Sequence, residues 1–305
     1  MDFLSAIKSI AGEECIFCNE MMSDHTTFKV GGPAKYFVVP YRAEDIKKYI
    51  LAAEEYKIPY YVIGNGSNLL VSDKGYDGMI IMLGRDLGNI TVNGDRITAE
   101  AGTSLARLFN TARRHSLSGL EFAAGIPGTL GGACYMNAGA YGGEMKDVLT
   151  KVVTIDRQGN THEYKQGEME LSYRNSIFIR KQEIILSAEM KLCKGDVEKM
   201  TRKVNELLEK RKEKQPLEYP SAGSTFKRPE GDFAGRLIEE CGLKGKGVNG
   251  AEVSDKHAGF IINRNNATAK DIYDTINLVT DTVLEKTGIK LEPEVRLLGD
   301  FSGNT

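Results

Sequence analysis

Seven glycines fall within Gly125–Gly143, the stretch GIPGTLGGACYMNAGAYGG, and a second glycine turn, Gly64-Asn65-Gly66-Ser67-Asn68, lies upstream. Glycine tolerates positive φ and lets a ligand approach the backbone with no Cβ in the way. Successive exposed N–H groups make a concave anion site, suited to a phosphate or diphosphate. Two such turns suggest one long ligand gripped in two places. A tight structural turn explains Gly64–Asn68 taken alone; the longer segment asks for more. Three polar elements stand outside the glycine loops: Ser172-Tyr173-Arg174-Asn175-Ser176, Ser221-Ala222-Gly223-Ser224-Thr225-Phe226-Lys227 and Glu292-Pro293-Glu294-Val295-Arg296. Singly, each reads as structural. Arg174 would be a surface ion pair of little worth, Ser224 a loop-ordering hydroxyl and Glu294 an exposed strand residue. Spacing alone does not bring them together.

Other chemistries are thinly supported. Gly64-x-Gly66 matches a dinucleotide fingerprint only in part, because the third glycine is absent and no acidic residue about twenty positions on stands out in the usual context. No GxxxxGK[ST] occurs, so a P-loop is excluded. Five cysteines, an odd number, argue against a disulfide framework, and Cys15-x-x-Cys18 has no second ligand pair at metal-site spacing. His25, His115, His162 and His257 are scattered, and the chain reads as metal-free. A net charge of −2 without a basic block gives no support for nucleic-acid binding. No apolar run reaches membrane-span length and the N-terminus lacks a signal-peptide core. A cytosolic enzyme is expected, with no nucleic-acid or membrane partner and as a monomer.

At 305 residues the chain has room for two or three domains. Phe37–Val39 reads as a strand, Ile46, Tyr49, Ile50 and Ala53 as one helix face, and Tyr60–Ile63 as a buried strand feeding the Gly64–Asn68 turn. A right-handed βαβ crossover would put that turn at the carboxyl end of a parallel pair, where ligands usually bind. Met79–Leu83 reads as a strand. Asn93-Gly94 predicts a hairpin with both turn positions at positive φ. Leu105, Leu108, Phe109 and Ala112 mark a helix capped by Thr103 or Ser104. A hairpin at Arg157–Asn160 and a strand at Ile184–Leu192 follow, then a helix with Val197, Met200, Val204, Leu207 and Leu208 inward. Lys210–Gln215 with Pro216 and Pro220 reads as a linker. Beyond it come a short helix lined by Phe233, Leu237, Ile238 and Cys241, and a strand at Gly259–Ile262. A helix then starts at Thr268-x-x-Asp271 and stops at Gly288, with an extended Ile289–Leu298 after it. The residues alone lead to a dinucleotide-binding α+β enzyme whose ligand is cradled by loops from two subdomains.

Six motifs in order resemble the UDP-N-acetylenolpyruvoylglucosamine reductase (MurB) family of flavoproteins: His25–Ala34, Gly64–Leu70, Gly125–Gly143, Ser172–Ser176, Ser221–Lys227 and Leu291–Arg296. The resemblance covers nearly the whole chain. It implies an α+β fold with two FAD-binding subdomains of vanillyl-alcohol-oxidase (PCMH) type, at 1–84 and 85–209, and a C-terminal substrate domain at 210–305 whose last strand returns towards the flavin. It implies FAD as cofactor, NADPH as hydride donor and UDP-N-acetylglucosamine enolpyruvate as substrate, reduced to UDP-N-acetylmuramate for peptidoglycan synthesis. NADPH and substrate are expected to take turns in one pocket.

By the same resemblance FAD lies against Gly64, Asn65, Gly66, Ser67, Asn68 and Leu69, and against Gly125, Ile126, Pro127, Gly128, Thr129, Gly131, Gly132, Ala133, Asn137, Ala138 and Gly139. Arg174 supplies the cation for charge building at C2 of the enol, Glu294 polarises or orients the enolic carboxylate, and Ser224 delivers the proton to C2. Lys227 or Arg228 would favour the departing proton of Ser224, and Lys227, Arg228 and His257 are candidates for contacting the UDP part. Only Ile177–Glu183 separates Ser176 from the next strand, which resembles the shorter class without a lid tyrosine. Two other readings share the glycine loops. A flavin oxidase of the same fold would not need the Ser221–Lys227 and Leu291–Arg296 motifs. A flavin-binding regulatory module would have no reason to keep Arg174, Ser224 and Glu294 together.

Overall fold

The apolar spacing from Ile46 to Ala53 becomes the buried face of the helix Ala43–Glu55 in a computed structural model, which describes residues 2–302. That helix follows the strand Pro33–Val38 and leads into Tyr60–Ile63, but the two strands are not neighbours. The sheet order is Ile16–Met21, Pro33–Val38, Tyr76–Met82, Tyr60–Ile63. Tyr60–Ile63 instead runs parallel to Tyr76–Met82, with Tyr60 opposite Met79 and Ile63 opposite Met82. The crossover therefore steps past one strand, which only long-range pairing could decide. The Gly64–Asn68 turn still leaves the carboxyl end of a parallel pair.

By Cα packing the chain divides into two units, one of Met1–Phe17, Tyr36–Asn65 and Gly78–Lys210, the other of Cys18–Lys35, Gly66–Asp77 and Arg211–Thr305. The first contains an antiparallel five-stranded sheet in the order Thr161–Lys165, Leu149–Ile155, Ile184–Lys191, Arg96–Glu100, Ile90–Asn93. Its core takes Ile97, Leu105, Leu108, Leu130, Cys134, Val152, Phe178 and Met190. Ser104 caps the helix Leu105–Arg114, its side chain accepting from Arg107 N. The expected hairpin forms with a different turn. Asn93 pairs with Arg96, so Gly94 and Asp95 are the central residues, and of Asn93 and Gly94 only Gly94 has positive φ, +61°.

The helix Val197–Lys214 corrects two expectations. Met200, Val204 and Leu207 are buried, but Val197 and Leu208 are exposed. Lys210–Lys214, read as linker, is its last turn. Long charged side chains lose little rotamer freedom in a helix, and Pro216 ends it by denying the following backbone donor.

In the second unit, a three-stranded antiparallel sheet of Gly247–Val248, Ala251–Val253 and Ile261–Asn263 packs on the helix Ala269–Thr287. The strand read as Gly259–Ile262 is thus displaced by one or two residues. Ile272, Ile276, Val279 and Val283 face the core beside Leu237 and Ile238 of the helix Ala234–Glu240. Thr268 and Asp271 form the expected capping box. The Asp73 carboxylate adds two bonds of 2.8 Å, one from Ala269 N and one from Lys270 N. A negative charge there complements the helix dipole. Phe233 is not in the inner face; it precedes the helix and is exposed under the Arg228 guanidinium, 4.6 Å away. Among the described residues no helix is long and apolar enough to cross a membrane.

Candidate active site

The Gly64 turn is built by close approach on both sides. A Cβ on Gly64 would sit 2.2 Å from Thr129 Oγ1, and Asn65 Nδ2 donates to Pro127 O at 3.1 Å. The start of the upstream turn therefore lies directly on the Pro127–Thr129 loop. Gly66 has φ +58°, and a Cβ there would meet His25 O at 2.0 Å. Among the described residues, the backbone N–H groups of Asn65, Gly66 and Ser67 find no acceptor in the chain. Asn68 is spent differently: its side chain donates to Glu294 O at 3.1 Å and its carbonyl accepts from Arg296 N at 3.0 Å. Leu69 continues this contact, opposite Arg296 in a parallel ladder of Leu69–Val71 with Arg296–Leu298.

The downstream glycine segment is laid across residues 101–105. Leu105 N donates to Gly128 O at 3.1 Å, Leu130 N to Thr103 O at 2.8 Å and Gly131 N to Ala101 O at 2.9 Å. Gly131, Gly132 and Ala133 form the short helix Leu130–Tyr135, with Gly132 exposed and Ala133 buried. Gly125, Ile126 and Gly128 are partly exposed ahead of it, as are Ala138 and Gly139 after it. Asn137 is fully buried. Gly139–Ala140 and Gly143–Glu144 then pair as a hairpin.

Arg174 lies in a turn closed on itself. Ser172 N donates to Asn175 O and Asn175 N to Ser172 O, both at 3.1 Å. Arg174 holds φ +52°, a left-handed conformation uncommon for a long side chain. Its Nη2 lies 3.4 Å from Gly139 O, and its guanidinium stacks 5.2 Å from the Tyr173 ring. The first unit thus joins Arg174 to the end of the glycine segment.

Ser224 and Glu294 belong to the second unit, and there the backbone brings their segments together. Glu294 N donates to Thr225 O at 2.8 Å, Lys227 N donates to Glu292 O at 2.8 Å, and Phe226 bridges Pro293. Ser224 is exposed. Lys227 Nζ pairs with the exposed Glu292 carboxylate, which offsets its charge. His257 is half-buried, two residues from Gly259, whose carbonyl accepts from Thr225 N at 2.8 Å.

Residues 215–298 match the family described as UDP-N-acetylenolpyruvoylglucosamine reductase, C-terminal domain, and residues 34–165 match FAD binding domain. A UDP-N-acetylenolpyruvoylglucosamine reductase of Caldanaerobacter subterraneus is 49% identical over 294 residues, 96% of this chain and 97% of the relative. The chain belongs to the UDP-N-acetylenolpyruvoylglucosamine reductase family. A second reductase of this name, from Syntrophomonas wolfei, is 52% identical over 287 residues, 94% of this chain and 96% of its own. The crystal structure of the UDP-N-acetylenolpyruvylglucosamine reductase (MurB) of Thermus caldophilus aligns with TM-score 0.78 at 37% identity, covering 92% of this chain and 97% of that one. A glucose oxidase variant of Phl p 4 aligns at 12% identity with TM-score 0.50 over 65% of this chain, which shows a shared fold alone. The fold is α+β, an FAD-binding fold of PCMH type with a C-terminal reductase-family domain, as the sequence resemblance implied.

Two hydroxyls escaped the sequence reading of this reductase-family chain. Among the described residues, Thr103 Oγ1 and Thr27 Oγ1 are buried without a hydrogen-bond partner. Thr103, the alternative cap to Ser104, lies where Leu130 crosses; Thr27 N donates to Gly66 O at 3.3 Å. Each sits on a segment bonded to a glycine turn. Thr26-Thr27 beside the Val30-Gly31-Gly32 run was the available signal.

Burial, aided by Lys244, holds the His257 imidazole below its usual 6.5. Its Nδ1 accepts from Gly259 N at 3.1 Å, which a protonated ring could not do. The unfolded chain therefore binds this proton more readily, so the His257 contribution is complete above about pH 6.5 and is lost as pH falls below it. His257→Gln should flatten the loss of urea stability between about pH 6.5 and 5 relative to the parent. Equal slopes in the two proteins would refute this.

Proposed function

We propose that this chain reduces UDP-N-acetylglucosamine enolpyruvate to UDP-N-acetylmuramate with FAD as cofactor and NADPH as hydride donor, in peptidoglycan synthesis. The observation that carries the reading is the pairing of the Ser224–Lys227 segment with Glu292–Glu294, tied in turn to Asn68 of the glycine turn. Two neighbouring segments, joined by an isolated bridge between Phe226 and Pro293, thereby carry a hydroxyl and a carboxylate within a reductase-family domain.

The residues fit a flavin dinucleotide on structural grounds. Three successive N–H groups at Asn65–Ser67 are suited to a diphosphate. A hydroxyl buried alone costs about 1–3 kcal/mol, which a bound ligand would return. FAD held there would supply two-electron redox chemistry between NADPH and the enol. In this reading residues 1–84 and 85–209 are its two subdomains and 210–305 the substrate domain. Gly64, Asn65, Gly66, Ser67, Asn68 and Leu69 with the Gly125–Gly139 loops hold the cofactor. The planar fork of Arg174 binds the enolpyruvyl carboxylate and stabilises charge delocalised into it from C2. Glu294 orients that carboxylate, and Ser224 donates the proton to C2. Lys227, Arg228 and His257 contact the UDP part. The enzyme acts in the cytoplasm as a monomer.

The test is anaerobic flavin absorbance. Bleaching by NADPH and recovery on adding UDP-N-acetylglucosamine enolpyruvate is expected. Bleaching without recovery would discard the substrate, and a colourless protein that cannot be reconstituted with FAD would discard the reading. A second expectation concerns Thr103→Val, which removes a hydroxyl with no partner among the described residues. Thermal stability without FAD should hold or rise, while FAD release from the holoprotein should quicken about tenfold. Unchanged release would remove Thr103 from the cofactor site.

A further inference from the structure

Resting on that reading, we infer that Asn137 is a positioning residue, the clamp through which the glycine-rich segment holds the turn carrying Arg174. Its side chain is fully buried and its φ is +43°, a left-handed conformation that Asn adopts more readily than most residues. Nδ2 donates to Ser172 O at 2.9 Å and to Glu144 Oε2 at 2.6 Å, and Oδ1 accepts from Lys146 N at 2.9 Å. Both amide hydrogens are thus used within the protein, so the carboxamide serves as an internal tie.

The ends of that tie are themselves fixed. Glu144 is paired with Lys146 Nζ at 2.5 Å, and its backbone N donates to Asp147 Oδ2 at 2.9 Å. On the other side, the Ser172 carbonyl also closes the Arg174 turn by accepting from Asn175 N. A second tie lies just beyond the arginine, where Ser176 Oγ donates to Tyr135 O at 2.7 Å. Tyr135 and Asn137, at the end of one short helix, therefore grip the chain two residues before and two residues after Arg174. A left-handed arginine persists only where its surroundings over-determine it, and this two-point grip supplies that. Only an amide of this length gives two donors and an acceptor here. Aspartate would lose both donors and set a second carboxylate against Glu144.

The test compares Asn137→Gly, Asn137→Asp and the double variant Asn137→Gly/Arg174→Ala as holoenzymes. Glycine keeps the left-handed backbone while removing the clamp. We expect the Asn137→Gly holoenzyme to lose far more rate in reoxidation by substrate than in bleaching by NADPH, a split that a general loosening of the cofactor loop would not give. Its reoxidation by UDP-N-acetylglucosamine enolpyruvate should slow at least about tenfold, since a misplacement near 1 Å costs about that or more. Asn137→Asp should slow the same step. In the Arg174→Ala background the glycine change should add nothing, because a residue that acts through Arg174 has nothing left to position. Normal reoxidation in Asn137→Gly, or a full additional loss in the double variant, would overturn the proposal. So would failure of both single variants to retain flavin, which would make Asn137 a support of the fold. The parent separates the two claims: if it performs neither half-reaction, the function fails; if it performs both and the variants do too, only the clamp fails.

Discussion

Arg174→Gly is expected to cost the protein little through its backbone while nearly abolishing transfer of hydride to substrate. Arg174 holds φ +52° at the third position of the Ser172–Asn175 turn, where glycine usually sits. A non-glycine residue in that region costs roughly 1–2 kcal/mol. Glycine would relieve this but adds unfolded-state freedom worth about 0.5–1 kcal/mol. Among the contacts of the Arg174 side chain in the first unit are a long one of 3.4 Å to Gly139 O and a stack on an exposed Tyr173. Such an exposed stack is worth about 0.5–1 kcal/mol. The strain relieved and the unfolded-state freedom added nearly cancel, so the backbone part of the change should move Tm by no more than about 4 °C. Reoxidation by substrate should fall by about a hundredfold or more, the usual loss when a preorganised group facing developing charge is removed. Differential scanning of the holoprotein and stopped-flow reoxidation read the two quantities separately. A large drop in Tm with near-normal reoxidation would mean that Arg174 is a structural residue.

Local signals in this chain were readable where one element carried them whole. Thr268 and Asp271 are three residues apart, and a capping box needs nothing from elsewhere. The helix around Ile272, Ile276, Val279 and Val283 writes its buried face in its own period. Val197 and Leu208 failed because apolar residues on a mostly charged helix need not all face inward; surface leucines are ordinary. Phe233 failed for a related reason, since the cation of Arg228 covers one face of its ring outside the core. The insertion of Tyr76–Met82 beside Tyr60–Ile63 is a pairing choice that no single segment encodes.

The site divides in the same way. Glycine richness pointed to the loops, and Gly64 against Thr129 gives that richness its steric cause. The roles of Asn68 and Asn137 depend on partners far along the chain, Glu294 for one and Ser172 for the other. Their identity as asparagines carried no hint of those partners. The grouping of 18–35 and 66–77 with the C-terminal part rests equally on distant contacts, such as Asp73 with Ala269 and Asn263 with Phe28.

Ser224→Ala and Thr225→Val, changes at adjacent positions, should have opposite consequences. Thr225 is fully buried and makes three ties: its N donates to Gly259 O, its carbonyl accepts from Glu294 N, and its Oγ1 accepts from Ile261 N at 3.0 Å. Valine would leave the Ile261 N–H buried without an acceptor, a loss of about 1–3 kcal/mol. The reaction chemistry should survive that loss. Ser224 is exposed, and its segment is held by Thr225 and Lys227 instead. Alanine there should change stability by no more than about 0.5 kcal/mol. If the hydroxyl donates the proton to C2, its removal should slow reoxidation by substrate by about a hundred- to ten-thousandfold, the range for a positioned acid. Bleaching by NADPH needs no such proton and should keep its parent rate. Reoxidation of Ser224→Ala at the parent rate would assign the proton to another donor, and equal slowing of both half-reactions would point to a disturbed flavin site.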